Sequence, residues 1–332
     1  MSYPLIILGA GASFDCVPEI RHASKERFRP PLTKNLFDKQ FEDIINKYSE
    51  VKDLASSILA SLRGGDNFEK ILSDIKEKSQ KNPDRLKQLV DFEMYLQDLF
   101  KQISNEFGNQ TGSNYGALIQ EINDGFKRAC IVNFNYDLLL EEALKEKITE
   151  DLNSYIDSTI KIIKIHGSCD WVYSIYDLFN DIKDPRKFLL ENPLFTEQRR
   201  KEKTQRICRK KDYVVSNGAG KKFLYCPAIA IPLYGKDGFV CPKSHIDALE
   251  GALAQVDRIL IIGWAANDQC LIDLIKDKIK RPIGITTVAG NESEINDIFG
   301  KFSESNFKRA AGFVGFSNFM GSKECKTFFG TA

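Results

Sequence analysis

The chain has 332 residues, enough for one large α/β domain or two smaller ones with a full apolar core. Its 47 Lys and Arg offset 46 Asp and Glu, so no global field draws it to nucleic acid or an anionic membrane, and any such affinity must be local. The eight cysteines are scattered with no C-x-x-C pair, which argues against a zinc ribbon and for a reducing, cytoplasmic compartment with buried thiols.

The first element is "PLIIL" (4–8), read as a strand because the apolar run is short and has no basic leader or cleavage site of a signal peptide. It runs into "LGAGASFDC" (8–16), where Gly9 and Gly11 supply two positions of a G-x-G-x-x-G dinucleotide turn and Phe14 stands in place of the third. A long helical region follows. Phe41, Ile44, Ile45, Tyr48, Val51, Leu54, Ile58, Leu59 and Leu62 form one stripe, which "RGGD" (63–66) ends. "NFEKILSDI", a helix opened by Asn82-Pro83 and a helix from Asn114 carrying Leu118, Ile119, Ile122 and Phe126 come next. These are too many helices for a simple crossover, so 34–127 is read as a helical insertion.

Five more short Ile- and Val-rich runs read as strands: "ACIVNFN" (129–135), "IKIIKIHG" (160–167), "AIAIP" (228–232), "RILIIGW" (258–264) and "IGITTVAG" (283–290). Runs apolar on both sides fit strands covered by helices on both faces of a parallel sheet. The expected fold is therefore α/β, a doubly wound, six-stranded, mostly parallel Rossmann-like sheet over 1–33 and 128–332. A second insertion, 172–223, holds the basic run "RRKEKTQRICRKK" (199–211) and a loop tip at "SNGAGKK". That run reads either as a solvated face or as the one contact surface open to nucleic acid or an acidic partner. No stretch of about eighteen apolar residues occurs, and no membrane span is expected.

Polar groups gather where strands end, the place where doubly wound sheets bind ligands. After the first strand come Gly9, Ala10, Gly11, Ala12 and Ser13, small enough to bring backbone amides near a pyrophosphate or simply to pack tightly. After the second come Asn133, Asn135 and Asp137, of which Asn135 or Asp137 could instead cap the helix "LLLEEAL". His166 follows the third strand, either a base or a hydrogen-bonded packing residue, and "IIGWAAND" (261–268) follows the fifth.

Taken in order, "GAGAS", "NFNYDLLLE", "IKIHGSCDW", "YCPAIAIPLYGK" and "VDRILIIGWAAND" resemble the blocks of the sirtuin-like (silent information regulator) family, most of all its prokaryotic branch. The resemblance covers the sheet, about half of the chain, and neither insertion. It implies NAD as bound substrate, with Gly9 to Ser13 at the phosphates, Asn135 beside the nicotinamide ribose, Asp137 on the carboxamide and His166 as catalytic base. It further implies Gly263 and Trp264 facing the ribose and phosphates and Asn291 at the adenosine ribose. Three features depart from the family: Asn133 where Thr is usual, Cys169 beside Asp170, and single Cys208 and Cys226 where protein-deacylating members carry zinc-binding pairs.

With the acyl-lysine module absent or rebuilt and no zinc expected, the resemblance implies an NAD+ hydrolase that uses water as acceptor, of the kind that depletes NAD in antiphage defence. A protein deacylase or ADP-ribosyltransferase and a non-catalytic nucleotide-binding subunit of a defence complex are the alternatives. Because uncontrolled NAD loss is lethal and the sheet is read as running to about residue 331, control is expected from homo-oligomerisation or a separate partner, such as a HerA-type ATPase or another defence protein.

Overall fold

The computed structural model describes residues 3–17, 29–63, 65, 68–79, 82–108, 112–144, 148–178, 182–201, 206–210, 214–216, 222–231, 238–303 and 306–331. Their strands are β1 (Pro4–Leu8), β2 (Ala129–Asn133), β3 (Ile160–Lys164), β4 (Gly167–Leu178), β5 (Ile207–Arg209), β6 (Val214–Ser216), β7 (Lys222–Ile229), β8 (Arg258–Ile262), β9 (Ile283–Ala289) and β10 (Phe307–Val314). The chain divides into two compact units, one of Met1–Leu32, Ile103–His166 and Gly235–Ala332, the other of Thr33–Gln102 and Gly167–Tyr234. The helix Asn114–Gly125 thus belongs with the sheet of the first unit, and helices Glu42–Ile45, Ser49–Arg63 and Phe68–Ser79 share a unit with residues 167–234.

The first unit is built on a six-stranded sheet in the order β10-β9-β8-β1-β2-β3, every adjacent pair parallel. Numbered by their order in the chain, these strands run 6-5-4-1-2-3, a doubly wound order that reverses between β1 and β8. Leu5, Ile6, Ile7 and Leu8 of β1 are all fully buried, as a central strand covered on both faces requires. On one face Leu5, Ile7, Val132, Ile163, Ile259 and Ile261 pack against Leu249 and Leu253 of helix Lys243–Leu253 and Leu271 and Ile275 of helix Gln269–Lys278.

The sheet has six strands as the sequence predicts, but with one substitution among them. Ala228 and Ile229 of "AIAIP" end β7, which pairs antiparallel with β4 in the other unit, Gly167 opposite Ile229. An apolar run records burial on both faces and leaves the pairing partner open. The sixth parallel strand is β10, whose Lys308, Arg309 and Ala310 are exposed and whose register shifts between Arg309 and Ala311. An edge strand with a bulge and two cations lacks the apolar signature that marks central strands.

The second unit carries an antiparallel sheet ordered β5-β4-β7-β6, which the sequence reading does not anticipate, and helices Ser49–Arg63, Phe68–Ser79 and most of Pro83–Phe107. The single stripe expected over 41–62 is split by a turn at 46–48 into Glu42–Ile45 and Ser49–Arg63, yet Phe41, Ile45, Tyr48, Val51, Leu54 and Ile58 stay buried. Tyr95 donates its hydroxyl to Leu36 O at 2.5 Å, and Gln97 Nε2 donates to Trp171 O at 2.9 Å. Fully buried Asp91 takes Arg186 Nη2 at 2.9 Å and the Glu50 N–H at 3.1 Å.

Part of the basic run turns inward. Arg200 is nearly buried and ion-paired with Glu93, and Arg209 Nε donates to Asp170 Oδ2 at 2.6 Å. These two cations serve the fold of the second unit and are not available to an external partner. Residues 202–205 and 211, together with most of the "SNGAGKK" tip, lie outside the described residues.

Burial pushes the Glu93 carboxyl up to about 7, against the pull of Arg200, so the protonated form is the one the fold favours. Stability from that form is complete below the unfolded-state value near 4.5 and is lost as pH rises through about 7. Arg200→Ala strips the counter-charge and should cost about 3–5 kcal/mol at pH 8. At pH 5, where Glu93 keeps its proton, the loss should be smaller; denaturant melts at both values check this, and equal losses would contradict it.

Candidate active site

The reversal of the sheet forces the turns after β1 and β8 against each other. Gly9 N–H donates to Ile262 O and Gly11 N–H to Gly263 O, both at 3.0 Å. A Cβ on Gly9 would sit 2.4 Å from Gly263 O, and one on Gly11 2.8 Å from Gly263 Cα. Gly263 itself has φ +60°, and a Cβ there would lie 2.3 Å from Ala12 N. The glycines are therefore required first by backbone-to-backbone packing. Ala12 N–H donates to Gly9 O, so three amides of the turn are held by carbonyls of the protein.

This contact places a buried polar network beside it. Asn135 lies just past β2, and its Nδ2 donates to Gly9 O at 2.9 Å and to the Tyr115 hydroxyl at 3.1 Å. Both amide hydrogens are used, so what Asn135 can offer a ligand is its Oδ1, an acceptor. The Tyr115 hydroxyl also meets Ser13 Oγ at 2.9 Å. Burial, reinforced by the charge of Asp137, holds the Tyr115 hydroxyl far above its usual titration range, so it stays protonated.

Asn133 ends β2, and its Oδ1 accepts the Asn135 N–H at 3.0 Å while its buried Nδ2 has no partner. Asp137 Oδ1 accepts the Leu139 N–H at 3.2 Å, the start of the short helix Leu139–Ala143, and Oδ2 has no partner. Asp137 thus does bond to the helix start, and its Oδ2 meets no donor in hydrogen-bond geometry, although the Ser13 hydroxyl is close enough to act on its charge. Burial raises its carboxyl above the ordinary range, opposed by the Lys164 ammonium and the Ser13 hydroxyl. Lys164, fully buried at the end of β3, donates to Asp137 O at 2.6 Å and to Glu141 Oε1 at 2.8 Å. A buried ammonium is tolerable only with such partners.

His166 follows β3 and is buried, its Nε2 at 3.0 Å from Asp268 Oδ2. Its ring stands edge-on to Phe134 with centroids 4.6 Å apart, and Phe134 stacks on Trp264 at 4.9 Å. Asp268 also caps helix Gln269–Lys278, with Oδ1 accepting the Leu271 N–H at 2.9 Å. The loop that carries it uses positive φ at Gly263 and, against the preference of an L-residue, at buried Ala266 (φ +53°). Lys301 Nζ ties it down through Ala265 O at 2.8 Å and Asn267 Oδ1 at 2.6 Å.

The strand ends thus bring together Gly9, Gly11, Ala12, Ser13, Asn133, Asn135, Asp137, His166 and Gly263, with Ala10 opening the helix Ala10–Cys16. Trp264 is a stacked core residue. Asn291 is exposed at the end of β9 and is occupied at home: its Oδ1 takes the Glu294 N–H at 3.0 Å and its Nδ2 donates to Glu294 Oε1 at 2.9 Å. Sequence reasoning gives no role to Tyr115, Lys164 or Asp268. Lys164 had a signal, a cation between isoleucines at the end of a buried strand. Asp268 had another, an N-cap aspartate directly before "QCLIDLI".

An all-parallel, doubly wound domain with buried polar groups at its switch point is the class that fold and site define. No protein-family model matches the chain, and no curated protein is significantly similar to it in sequence. Among solved structures the chain is similar to Sir2Tm bound to a propionylated peptide, at 12% identity over 99% of this chain and 94% of that one, with a TM-score of 0.45. It is also similar to a mutant Sir2 homologue in complex with 2′-O-acetyl ADP ribose, at 13% identity over 99% and 92% and a TM-score of 0.47. A Sir2 structure with p53 peptide and NAD+ matches at 12% identity over 99% and 94%, with a TM-score of 0.42.

Gly263→Ala combines a disfavoured backbone region with a methyl group driven onto Ala12 N, and should cost about 2–4 kcal/mol. Lys164→Met leaves buried Glu141 without its cation and should cost about 3–5 kcal/mol. Denaturant titration of each variant checks both figures, and a change under about 0.5 kcal/mol, as at an ordinary surface site, would contradict them.

Proposed function

We propose that the chain is a sirtuin-like NAD+ hydrolase that cleaves the bond between nicotinamide and ribose. The observation that carries the reading is that two buried groups of the segment after β2, Asn133 Nδ2 and Asp137 Oδ2, have no partner. One is a donor and the other an acceptor, the complement that a primary carboxamide such as that of nicotinamide requires. The "GAGAS", "NFNYD", "IHG" and "IIGW" blocks that resemble the sirtuin-like family fall at the ends of β1, β2, β3 and β8, all at the same edge of one sheet.

In this reading Asp137 and Asn133 hold the carboxamide, and the Asn135 Oδ1 accepts from a ribose hydroxyl or from the attacking water. The C1′–N bond breaks with its electron pair passing to the pyridine nitrogen, which leaves as neutral nicotinamide. The water oxygen bonds to C1′ and its proton goes to His166, which releases it to solvent; ADP-ribose remains. Burial of the site strengthens each of these polar contacts, and orientation of the reactants supplies much of the rate. The turn Gly9–Ser13 faces the phosphates in this pose, with Gly263 beside it and Asn291 at the far end toward the adenosine ribose. A role in antiphage NAD depletion, governed by self-association or by a partner such as a HerA-type ATPase, extends the same reading.

The test is incubation of the chain with NAD+ and chromatographic separation of nicotinamide and ADP-ribose. The wild-type chain should release both in equal amounts, and His166→Ala and Asn135→Ala should each lower turnover by about 100-fold or more. Undiminished cleavage in both variants would overturn the site, and cleavage that requires an acyl-lysine or acceptor protein would replace water with a protein acceptor.

A further inference from the structure

An asparagine serves a site only if its amide is held the right way round, because a half-turn of the side chain exchanges a carbonyl oxygen for an NH2 group. We infer that Tyr115, on the helix Asn114–Gly125, is the positioning residue of Asn135: its hydroxyl takes one amide hydrogen, fixes the plane of the amide and leaves Oδ1 as the atom that Asn135 presents to a ligand. The catalytic consequence rests on the NAD+-cleaving reading, and the orientation of the amide rests on geometry alone.

Four observations support it. Gly9 O only accepts, and it lies 2.9 Å from Asn135 Nδ2, so the NH2 group is the end of the amide that faces it. The second hydrogen meets the Tyr115 hydroxyl at 3.1 Å, and two acceptors on one nitrogen fix the rotation that one would leave free. Burial holds the Tyr115 hydroxyl far above its usual range, so it keeps its single proton; with Asn135 Nδ2 donating on one side, that proton goes to Ser13 Oγ at 2.9 Å on the other. The order of donation is thereby set, from the Asn135 amide through Tyr115 to the Ser13 hydroxyl, which works against the upward push of burial on the Asp137 carboxyl. Finally, Tyr115 is itself held in place. Its side chain is fully buried and edge-on to Phe316 with centroids 6.1 Å apart, and Asn114 beside it donates Nδ2 to Asp15 O at 2.7 Å and to Ser317 Oγ at 2.9 Å. Asp15 Oδ2 in turn accepts the N–H groups of Phe316 at 2.6 Å and Ser317 at 3.1 Å, so the helix after the glycine turn, the helix of Tyr115 and the helix Phe316–Met320 brace one another.

A tyrosine that only completes the core would pack in the same way, and Tyr115→Phe separates the roles because it keeps the ring against Phe316 and removes the hydroxyl alone. The first readout is NMR of 15N-asparagine-labelled protein, with the Asn135 side-chain amide assigned by its loss in Asn135→Ala and by its nuclear Overhauser contact with the Tyr115 ring. In the wild-type chain both Nδ2 hydrogens should exchange with water at least about tenfold more slowly than those of an exposed asparagine. In Tyr115→Phe the hydrogen that faced the hydroxyl should lose about tenfold of that protection, in a protein that still folds cooperatively. Fast exchange of both hydrogens in the wild-type chain overturns the inference without any variant of Tyr115.

The second readout is NAD+ turnover. Tyr115→Phe should lower kcat by about tenfold or more with KM changed by less than about threefold, since the orientation of Asn135 serves the chemical step. Placed in Asn135→Ala, the same substitution should change the residual kcat by less than about twofold, because no amide is left to position, whereas a purely structural loss would repeat in full. Unchanged exchange of the Asn135 amide in Tyr115→Phe overturns the inference, and so does wild-type kcat in that variant or a full loss repeated in the Asn135→Ala background. If the wild-type chain cleaves no NAD+, the functional reading falls by itself and the exchange measurement still decides whether Tyr115 holds the amide.

Discussion

The close approach of two backbone turns, Gly9 to Gly11 against Gly263, is the constraint on which the rest of the first unit depends. β1 and β8 are neighbours at the point where the strand order reverses, so their following segments must diverge to opposite faces from almost the same place. Only residues without a Cβ fit there, since each added methyl would fall within 2.3–2.8 Å of the facing backbone. The hydrogen bonds Gly9 N–Ile262 O and Gly11 N–Gly263 O convert that proximity into a fixed geometry. Asn135 is tied into it through Gly9 O, so the polar network takes its position from the same contact.

The network is expensive to maintain. Asn133, Asn135, Asp137, Lys164, His166 and Asp268 are all buried, and each must recover the free energy of lost hydration through a partner. Lys164 does so through Glu141 and Asp137 O, His166 through a contact of its Nε2 with Asp268, and the Asn135 amide nitrogen through Gly9 O and Tyr115. Asn133 Nδ2 and Asp137 Oδ2 do not. They are among several buried polar atoms without a partner in the described residues, and as one donor and one acceptor they would be satisfied together by a group that supplies the complement of both.

Much of the fold was legible in the sequence because strands buried on both faces leave a dense signature. β1, β2, β3, β8 and β9 all lie inside runs that read as strands, and the polar residues that follow β1, β2, β3 and β8 share one edge of the sheet. What was hidden depends on pairing and not on composition. Ala228 and Ile229 are as apolar as a parallel strand should be, yet they pair antiparallel with β4. β10 carries Lys308 and Arg309 because an edge strand can. The basic run shows the same limit. Nothing in "RRKEKTQRICRKK" indicates that Arg200 turns inward to Glu93 and Arg209 to Asp170, because those partners are far away in the chain. Tyr115 and Asp268 are of the same kind, an ordinary helix residue and a helix cap that meet Asn135 and His166 only in the folded sheet.

The central claim, that the edge of the sheet at its reversal is a binding site for NAD+, is most directly tested by calorimetric titration of NAD+ into His166→Ala, in which slowed turnover leaves binding to be read alone. The account predicts saturable one-site binding that free nicotinamide weakens by competition and that Asp137→Ala, added to the same variant, reduces at least about tenfold, roughly 1.4 kcal/mol. No saturable heat, or binding indifferent to Asp137, would contradict it.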